Sequence, residues 1–177
     1  MVDGGKWAGR MPFGRSALIV ASLSLLALPA RAGEPTQKLA EPLLRAVLER
    51  ALAVGDYLPD RAMLPASPPF LLMEEIASTK LRITRAALPQ ATGRFVVLPY
   101  ASLQEQADTS KKTLFFVVIR RVDATDDNDN ATLEVGVDVV FPGSRGGQKF
   151  CCCSARDRYS RAKGSWQFVK RERTTCA

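Results

Sequence analysis

The stretch TLEVGVDVVF, residues 132–141, places an apolar side chain at every second position. Successive side chains of a β-strand point to opposite faces, so a period of two predicts a strand with one buried face. The apolar side chains of that face are Leu133, Val135, Val137, Val139 and Phe141. Glu134 and Asp138 fall on the other face, which is the pattern of an antiparallel sheet with one solvated side.

Further segments on either side of this one also have strand patterns. The strong ones are residues 114–122 (LFFVVIRRV), 148–159 and 165–173 (SWQFVKRER). The connections between the four strong segments are short and rich in Asp, Asn, Gly and Pro, which favours an antiparallel meander. The weaker strand patterns are residues 70–77, 80–84 and 95–99. We interpret the polar stretch 102–112 as a loop that contains a helical turn.

One helix is predicted ahead of the strands, from Glu41 and Pro42 to a stop at Gly55 and Asp56. Proline is well tolerated at the start of a helix, and glycine commonly ends one. Apolar residues recur between these points at three- and four-residue spacing, which gives the helix one apolar face. They are Leu44, Val47, Leu48, Ala51 and Leu52. Residues 57–69 contain four prolines and predict an irregular connection.

These elements predict an α+β fold, in which an N-terminal helix packs on a curved antiparallel sheet of four or more strands. The helix comes first, the long strands come last, and the closing strand contains the aromatic stretch GSWQFV at 164–169. This arrangement resembles the NTF2-like and cystatin-like proteins. The resemblance implies a fold, with a concave sheet that can hold a small-ligand pocket, and it implies no activity.

The first 32 residues have the features of an export signal. A basic leader precedes an apolar run at 16–30, and Ala30-Arg31-Ala32 supplies the small-x-small pattern for cleavage. A fifteen-residue helix spans roughly 22 Å, which is shorter than the ~30 Å hydrocarbon core of a bilayer. We therefore expect cleavage after Ala32 rather than a membrane anchor. Met11 is an alternative start of translation.

The predicted mature protein, residues 33–177, is a single exported domain, periplasmic or secreted, with no transmembrane segment. The chain contains no histidine, which excludes Ser-His-Asp and Cys-His catalysis and zinc sites with His ligands. The formal net charge is +7, and residues 145–177 contain nine basic and two acidic residues. An acidic partner is therefore favoured over a basic one. We expect no cofactor and, outside the cytoplasm, no nucleic acid.

The C-terminal segments predict an arginine-rich hairpin. A turn at 161–164 would pair Ser160 with Ser165, so that alternate residues share a face. The arginines on one face would be Arg156, Arg158, Arg171 and Arg173. The aromatic residues on the other face would be Tyr159, Trp166 and Phe168. An ordinary solvated face explains this alternation, and so does a surface that binds an anionic partner.

Two functional hypotheses follow. The first is a non-enzymatic binding or accessory domain of the cell envelope, which recognises an envelope protein or an anionic surface through the four arginines. The alternative is a small-ligand or enzymatic NTF2-like domain, with a pocket beside Asp157, Tyr159, Trp166 and Phe168. In that alternative, Asp157, Tyr159 or Asp138 would act as the acid or base.

The four cysteines lie at 151–153 and at 176. An oxidising compartment favours a disulfide, and the expected strand pairing places Cys176 one diagonal step from Cys151. We expect a Cys151–Cys176 bond, with Cys152 or Cys153 as alternative partners and unpaired thiols as a further possibility. Adjacent residues of a strand point to opposite faces, so a zinc site built from the run is disfavoured.

The segment from Asp123 to Glu134 partly matches a calcium-binding loop. Asp123, Asp127, Asp129 and Glu134 fall at ligand positions of such a loop. Asn128 occupies the position where glycine belongs, and predicted strands flank the segment in place of helices. A solvated hairpin turn is the favoured interpretation, and we expect no metal site.

Overall fold

The computed structural model describes residues 36–53, 57–77, 79–89, 95–125, 128–144 and 151–176. Their helices and strands are α1 (Gln37–Ala53), β1 (Phe70–Met73), β2 (Phe95–Leu98), α2 (Tyr100–Ser110), β3 (Leu114–Asp123), β4 (Asn130–Val140), β5 (Cys153–Ala162) and β6 (Ser165–Cys176). Within these residues, no helix combines the length and the apolar character needed to span a membrane. The predicted export signal and the predicted helix stop at Gly55 and Asp56 lie outside the described residues.

The strands form one sheet in the order β2-β1-β3-β4-β5-β6. The predicted α+β class is confirmed, and β3 to β6 form the predicted antiparallel meander. The sheet is mixed rather than wholly antiparallel, because β1 runs parallel to both β2 and β3. Parallel neighbours need a long connection: residues 74–94 connect β1 to β2, and both β2 and α2 lie between β1 and β3 along the chain.

Helix α1 covers one face of the sheet. It begins at Gln37, earlier than predicted, and Pro42 lies inside it. Its fully buried side chains are Leu43, Leu44, Val47 and Leu48. They pack against residues of the central strands, including Leu72, Val117 and Leu133. Each leucine buried in this way contributes roughly 2 kcal/mol through its apolar area, so this interface forms the main core.

Helix α2 covers part of the opposite face. Leu103 and Ala107 pack there against Met73, Phe116 and Val140. The interpretation of residues 102–112 as a loop is therefore wrong. The apolar pattern of α2 is weak because only two of its side chains are buried, and the helix was missed for that reason. Under α2 the sheet is buried on both faces, so Asp138, predicted to be solvated, is fully buried.

Two weaker strand predictions are shortened or lost. β1 ends at Met73, and residues 80–84 contribute one isolated bridge, between Glu75 and Arg82. Phe141 lies beyond the end of β4 and is 44% exposed, so it does not join the buried face as predicted. Backbone groups of these segments form hydrogen bonds outside the sheet ladder. For example, the N–H of Ile83 donates to the backbone carbonyl of Glu74.

The β5–β6 hairpin turns over two residues, Lys163 and Gly164. Both have left-handed backbones, with φ of 51° and 82°, as a type I′ turn requires. Ala162 therefore pairs with Ser165, whereas the predicted pairing of Ser160 with Ser165 is wrong. The ladder also shifts register twice, between Arg156 and Asp157 and between Arg158 and Tyr159. These two bulges decide which side chains share a face.

Candidate functional site

The sheet face opposite α1, which we call the outer face, carries two rows of polar side chains. One row contains Asp123, Thr132, Arg158 and Lys170, and the other contains Arg121, Glu134, Arg156 and Arg173. Strand neighbours of these residues, such as Leu133 and Tyr159, point into the core beneath α1. The exposed members of the two rows are Arg121, Arg158, Lys170 and Arg173.

Carboxylates on the outer face neutralise part of this positive charge. Asp123 forms ion pairs with Arg121 at 2.7 Å and with Arg156 at 3.2 Å. Glu172 joins Arg156 at 3.5 Å and Arg158 at 2.8 Å. The five cations of the rows therefore face three carboxylates, Asp123, Glu134 and Glu172, which leaves an excess of two positive charges. Among the described residues, Lys170 and Arg173 form no ion pair.

Arg171 does not lie on the outer face, which corrects the sequence prediction. Arg156 pairs with Arg173, but the next residue of β5, Asp157, pairs with Arg171, so Glu172 is the extra residue of a bulge. A bulge places two residues opposite one and so changes the face of the residues beyond it. Lys170, opposite Arg158, takes the place predicted for Arg171.

On the inner face, Arg171 and Asp157 form the centre of a buried polar cluster. Asp157 is fully buried, and its carboxylate accepts a hydrogen bond from Arg171 Nε at 3.0 Å. The same guanidinium donates to the backbone carbonyl of Tyr57. The hydroxyls of Tyr57 and Tyr159 share a 2.7 Å hydrogen bond. The cluster therefore joins the segment after α1 to the two last strands.

Both tyrosines of this cluster stay neutral at ordinary pH. Burial, then the charge and hydrogen bond of Tyr159 and the charge of Asp157, raise the pKa of Tyr57 far above its usual value. Burial raises the pKa of Tyr159 to about 12. The polar atoms of Asp157 and Tyr159, predicted as an acid or base, are thus occupied by partners within the protein.

The aromatic residues of the predicted pocket take part in packing. The rings of Phe168 and Tyr159 meet edge-on, with their centroids 5.9 Å apart. The guanidinium of Arg50 lies 3.7 Å from the centroid of the Phe168 ring. Trp166 is 6% exposed, and Arg161 lies 5.6 Å from its ring. An open depression of about 320 Å³ borders Trp166. Its other walls are Thr36, Lys38, Leu39, Pro42, Arg161 and Gly164.

A second depression, of about 280 Å³, lies at the edge of the outer face. Asp123, Asn128, Asn130 and Arg158 are among its lining residues. Asp127, one residue of the partial calcium loop, lies outside the described residues, and Asp123 is engaged by two arginines. Within the part of the chain that the structure describes, no three His, Cys, Asp or Glu side chains are placed to hold a metal ion.

The final strand is tied to β5 by a disulfide between Cys153 and Cys176. These residues are directly opposite each other in the ladder, with Cα atoms 4.0 Å apart. A disulfide from Cys176 to the 151–153 run is therefore present, but its partner is the alternative Cys153 rather than the favoured Cys151. The two-residue turn and the two bulges bring Cys153 to this position. The bond closes a loop with a sequence separation of 23, which stabilises the fold by about 3 kcal/mol through chain entropy.

Cys151 and Cys152 are joined to each other by a second disulfide. Both precede β5, and Cys152 has a left-handed backbone with φ of 72°, so the alternation of a strand does not apply to them. The backbone N–H of Cys151 donates to Asp138, and its carbonyl accepts from Arg120 at 2.9 Å. This segment is therefore anchored to a buried ion pair beneath the outer face, in which Arg120 and Asp138 approach to 3.7 Å.

Sequence reasoning missed several residues of these arrangements. Tyr57 lies in the proline-rich connection, Arg50 lies on α1, and Arg120 lies at a bulge of β3. The sequence gives little indication that these residues are part of a buried cluster, because a tyrosine or an arginine is equally compatible with a surface position. One usable signal was Asp157 in RDRY at 156–159, which shares a strand face with Tyr159 two residues later. A carboxylate on an aromatic, core-facing side needs a cation as its partner.

Comparisons of this chain with protein-family models, with curated proteins and with solved structures find no match. The described residues form an α+β fold with an N-terminal helix and a six-stranded mixed sheet.

Proposed function

We propose that this protein is an exported, non-enzymatic binding domain, whose outer face recognises an acidic partner in the cell envelope. The export signal predicted at 1–32 supports the compartment. The observation that carries the proposal is the excess positive charge on a sheet face that α2 leaves uncovered. Arg158, Lys170 and Arg173 supply the accessible cations of that face.

The outer face is suited to binding because its arginines are already held in place. Arg158 is bonded to Glu172 and yet its side chain remains 46% exposed, and Arg121 is bonded to Asp123 with 54% exposure. Side chains that are ordered before binding lose less conformational entropy when a partner docks. Guanidinium groups can also bind a carboxylate or phosphate through two hydrogen bonds. Adjacent strands space these groups roughly 5 Å apart.

A second candidate function is small-ligand binding in the depression beside Trp166. The depression of about 320 Å³ favours it, since Lys38 and Arg161 place two cations there beside an aromatic ring. An NTF2-like relationship would fit this candidate, and it stays a proposal. The inner face beneath α1 carries less support, because Tyr159 and Phe168 pack against other side chains there.

The proposal is tested with poly-L-glutamate as a defined acidic probe, using the mature protein. The variant replaces Arg158, Lys170 and Arg173 by Gln, and fluorescence anisotropy gives the dissociation constant at low and physiological ionic strength. We expect the wild-type protein to bind, with affinity falling steeply as salt rises. We expect the triple variant to lose roughly tenfold or more in affinity at low salt.

The matched control replaces Arg85, Lys111 and Lys112 by Gln. These exposed residues belong to neither charged row, and their removal changes the net charge by the same amount. If both triple variants lose affinity equally, net charge rather than the outer face binds the probe, and the proposal is wrong. If only a Lys38→Gln/Arg161→Gln variant loses binding, the depression beside Trp166 is the site instead.

A further inference from the structure

The two disulfides of this protein stand in different structural settings. Cys153–Cys176 joins opposed residues of β5 and β6, inside a hydrogen-bonded ladder. Cys151–Cys152 joins chain neighbours that precede β5, and Cys151 is half-buried rather than enclosed. Cys152 is buried, so an attacking thiol would reach the second bond at half-buried Cys151.

We propose that Cys151–Cys152 is a thiol–disulfide exchange site for small thiols or for a dithiol protein of the exported compartment. Cys153–Cys176 is the structural bond. The inference goes beyond acidic-partner binding and does not depend on it, since none of the four cysteines belongs to the two charged rows.

The two disulfides differ in the length of the chain loop that each one closes. A disulfide stabilises a fold mainly by restricting the unfolded chain, and this effect grows with the length of the closed loop. The separation is 23 for Cys153–Cys176 and 1 for Cys151–Cys152. The neighbouring pair therefore contributes almost nothing by this route, and the folded state gives it little protection against reduction.

The backbone around the neighbouring pair is held independently of the bond. Cys151 is fixed by Asp138 and Arg120, and the N–H of Cys153 donates to the carboxylate of Asp60. The sulfur of Cys152 lies 3.6 Å from the sulfur of Met63. Opening the bond therefore leaves the two thiols in place for re-oxidation.

A partner thiolate attacks Sγ of Cys151, and the bond to Cys152 breaks with its electron pair on Sγ of Cys152, which takes up a proton. The resulting mixed disulfide is resolved by a second partner thiolate, which releases Cys151 as a thiolate that is then protonated. The partner gives up two electrons and two protons, and the Cys151–Cys152 pair receives both. In the reverse direction, the reduced pair reduces a partner disulfide.

The experiment is a redox titration of the native protein in buffers of reduced and oxidised glutathione. Free thiols are blocked with N-ethylmaleimide in acid, and trypsin then releases FCCCSAR (150–156) and TTCA (174–177). We expect two labels to enter the first peptide while it stays linked to the second. We expect Cys176 to take label only at a reduced-to-oxidised ratio roughly tenfold higher or more, and the first reaction to reverse in oxidised glutathione.

Two variants assign the signal. Cys153→Ser/Cys176→Ser should keep the two-label titration, whereas Cys151→Ser/Cys152→Ser should abolish it. If the former variant does not fold, fragmentation of the linked wild-type peptides gives the same assignment. The proposal is wrong if Cys176 is labelled first or if all four cysteines are labelled together. It is also wrong if the cysteines of the 150–156 peptide resist reduction until the protein unfolds.

Discussion

Tyr57, Tyr100 and Tyr159 are the three tyrosines of the chain, and burial raises the pKa of each one. The unfolded chain ionises its tyrosines near pH 10, whereas the native protein retains their protons to higher pH. The native state therefore binds more protons above about pH 10, and the free energy of unfolding falls as the pH rises through that range.

We expect an alkaline absorbance titration of the native protein to show much less tyrosinate at pH 10 than the same protein in urea. Circular dichroism recorded at each pH controls for unfolding. Half-ionisation near pH 10, with the native spectrum intact, would contradict the buried environment of Tyr57 and Tyr159.

The Asp157–Arg171 pair gives a second prediction at this scale. Arg171→Met leaves the carboxylate of Asp157 fully buried without its cation, and we expect the free energy of unfolding to fall by about 3 kcal/mol. Adding Asp157→Asn should recover part of this loss, because no charge then remains buried without a partner. Urea unfolding of the two single variants and the double variant measures the coupling.

Arg158→Met is the matched control for this pair. Arg158 is also bonded to a carboxylate, Glu172, but its side chain is 46% exposed, so we expect a loss below about 1 kcal/mol. Equal losses for Arg158→Met and Arg171→Met would show that burial of Asp157 does not set the strength of the pair.

At the scale of elements, β6 is an edge strand that is paired on one side only. Its start is fixed by the Lys163–Gly164 turn and its end by the Cys153–Cys176 bond. Charged side chains and two bulges along it are features that oppose unwanted strand pairing. The same bulges direct Arg171 inward and Lys170 outward, so the structure of this edge also sets the charge of the outer face.

We expect Cys153→Ser/Cys176→Ser to lower the free energy of unfolding by about 3 kcal/mol, because the loop constraint on the unfolded chain is lost. Both cysteines are replaced so that no free thiol remains beside Cys151 and Cys152. Cys151→Ser/Cys152→Ser is the control and should change the urea midpoint little. A larger loss in the control than in the first variant would refute the assignment of Cys153–Cys176 as the structural bond.

At the scale of the whole molecule, helices α1 and α2 of the described residues divide the sheet into differently covered parts. α1 packs on the inner face across the central strands, and α2 packs on the opposite face near β1, β3 and the end of β4. The outer face of β5 and β6 stays exposed, and charged residues line it. The partner-binding surface that we propose is therefore the part of the sheet that neither helix reaches.

The sequence by itself determined the α+β class, the helix ahead of the strands, the β3–β6 meander and the alternation that buries Leu133, Val135 and Val137. These features are predictable because each rests on an apolar pattern that repeats over many residues. An error at one position therefore does not change the predicted element. The absence of histidine likewise excluded whole classes of catalysis without reference to any structure.

Only the tertiary structure decided the parallel pairing of β1, the helix α2, the face of Arg171 and the partner of Cys176. Each depends on a shift of one or two residues, or on a weak local pattern that packing overrides. A bulge needs one extra residue and leaves no clear mark in the sequence, yet it moves a side chain to the opposite face. Here the bulge at Glu172 places Arg171 beside buried Asp157, and the same guanidinium reaches the carbonyl of Tyr57, 114 residues away in the chain. Contacts of this kind, between distant parts of the chain, stabilise the observed register.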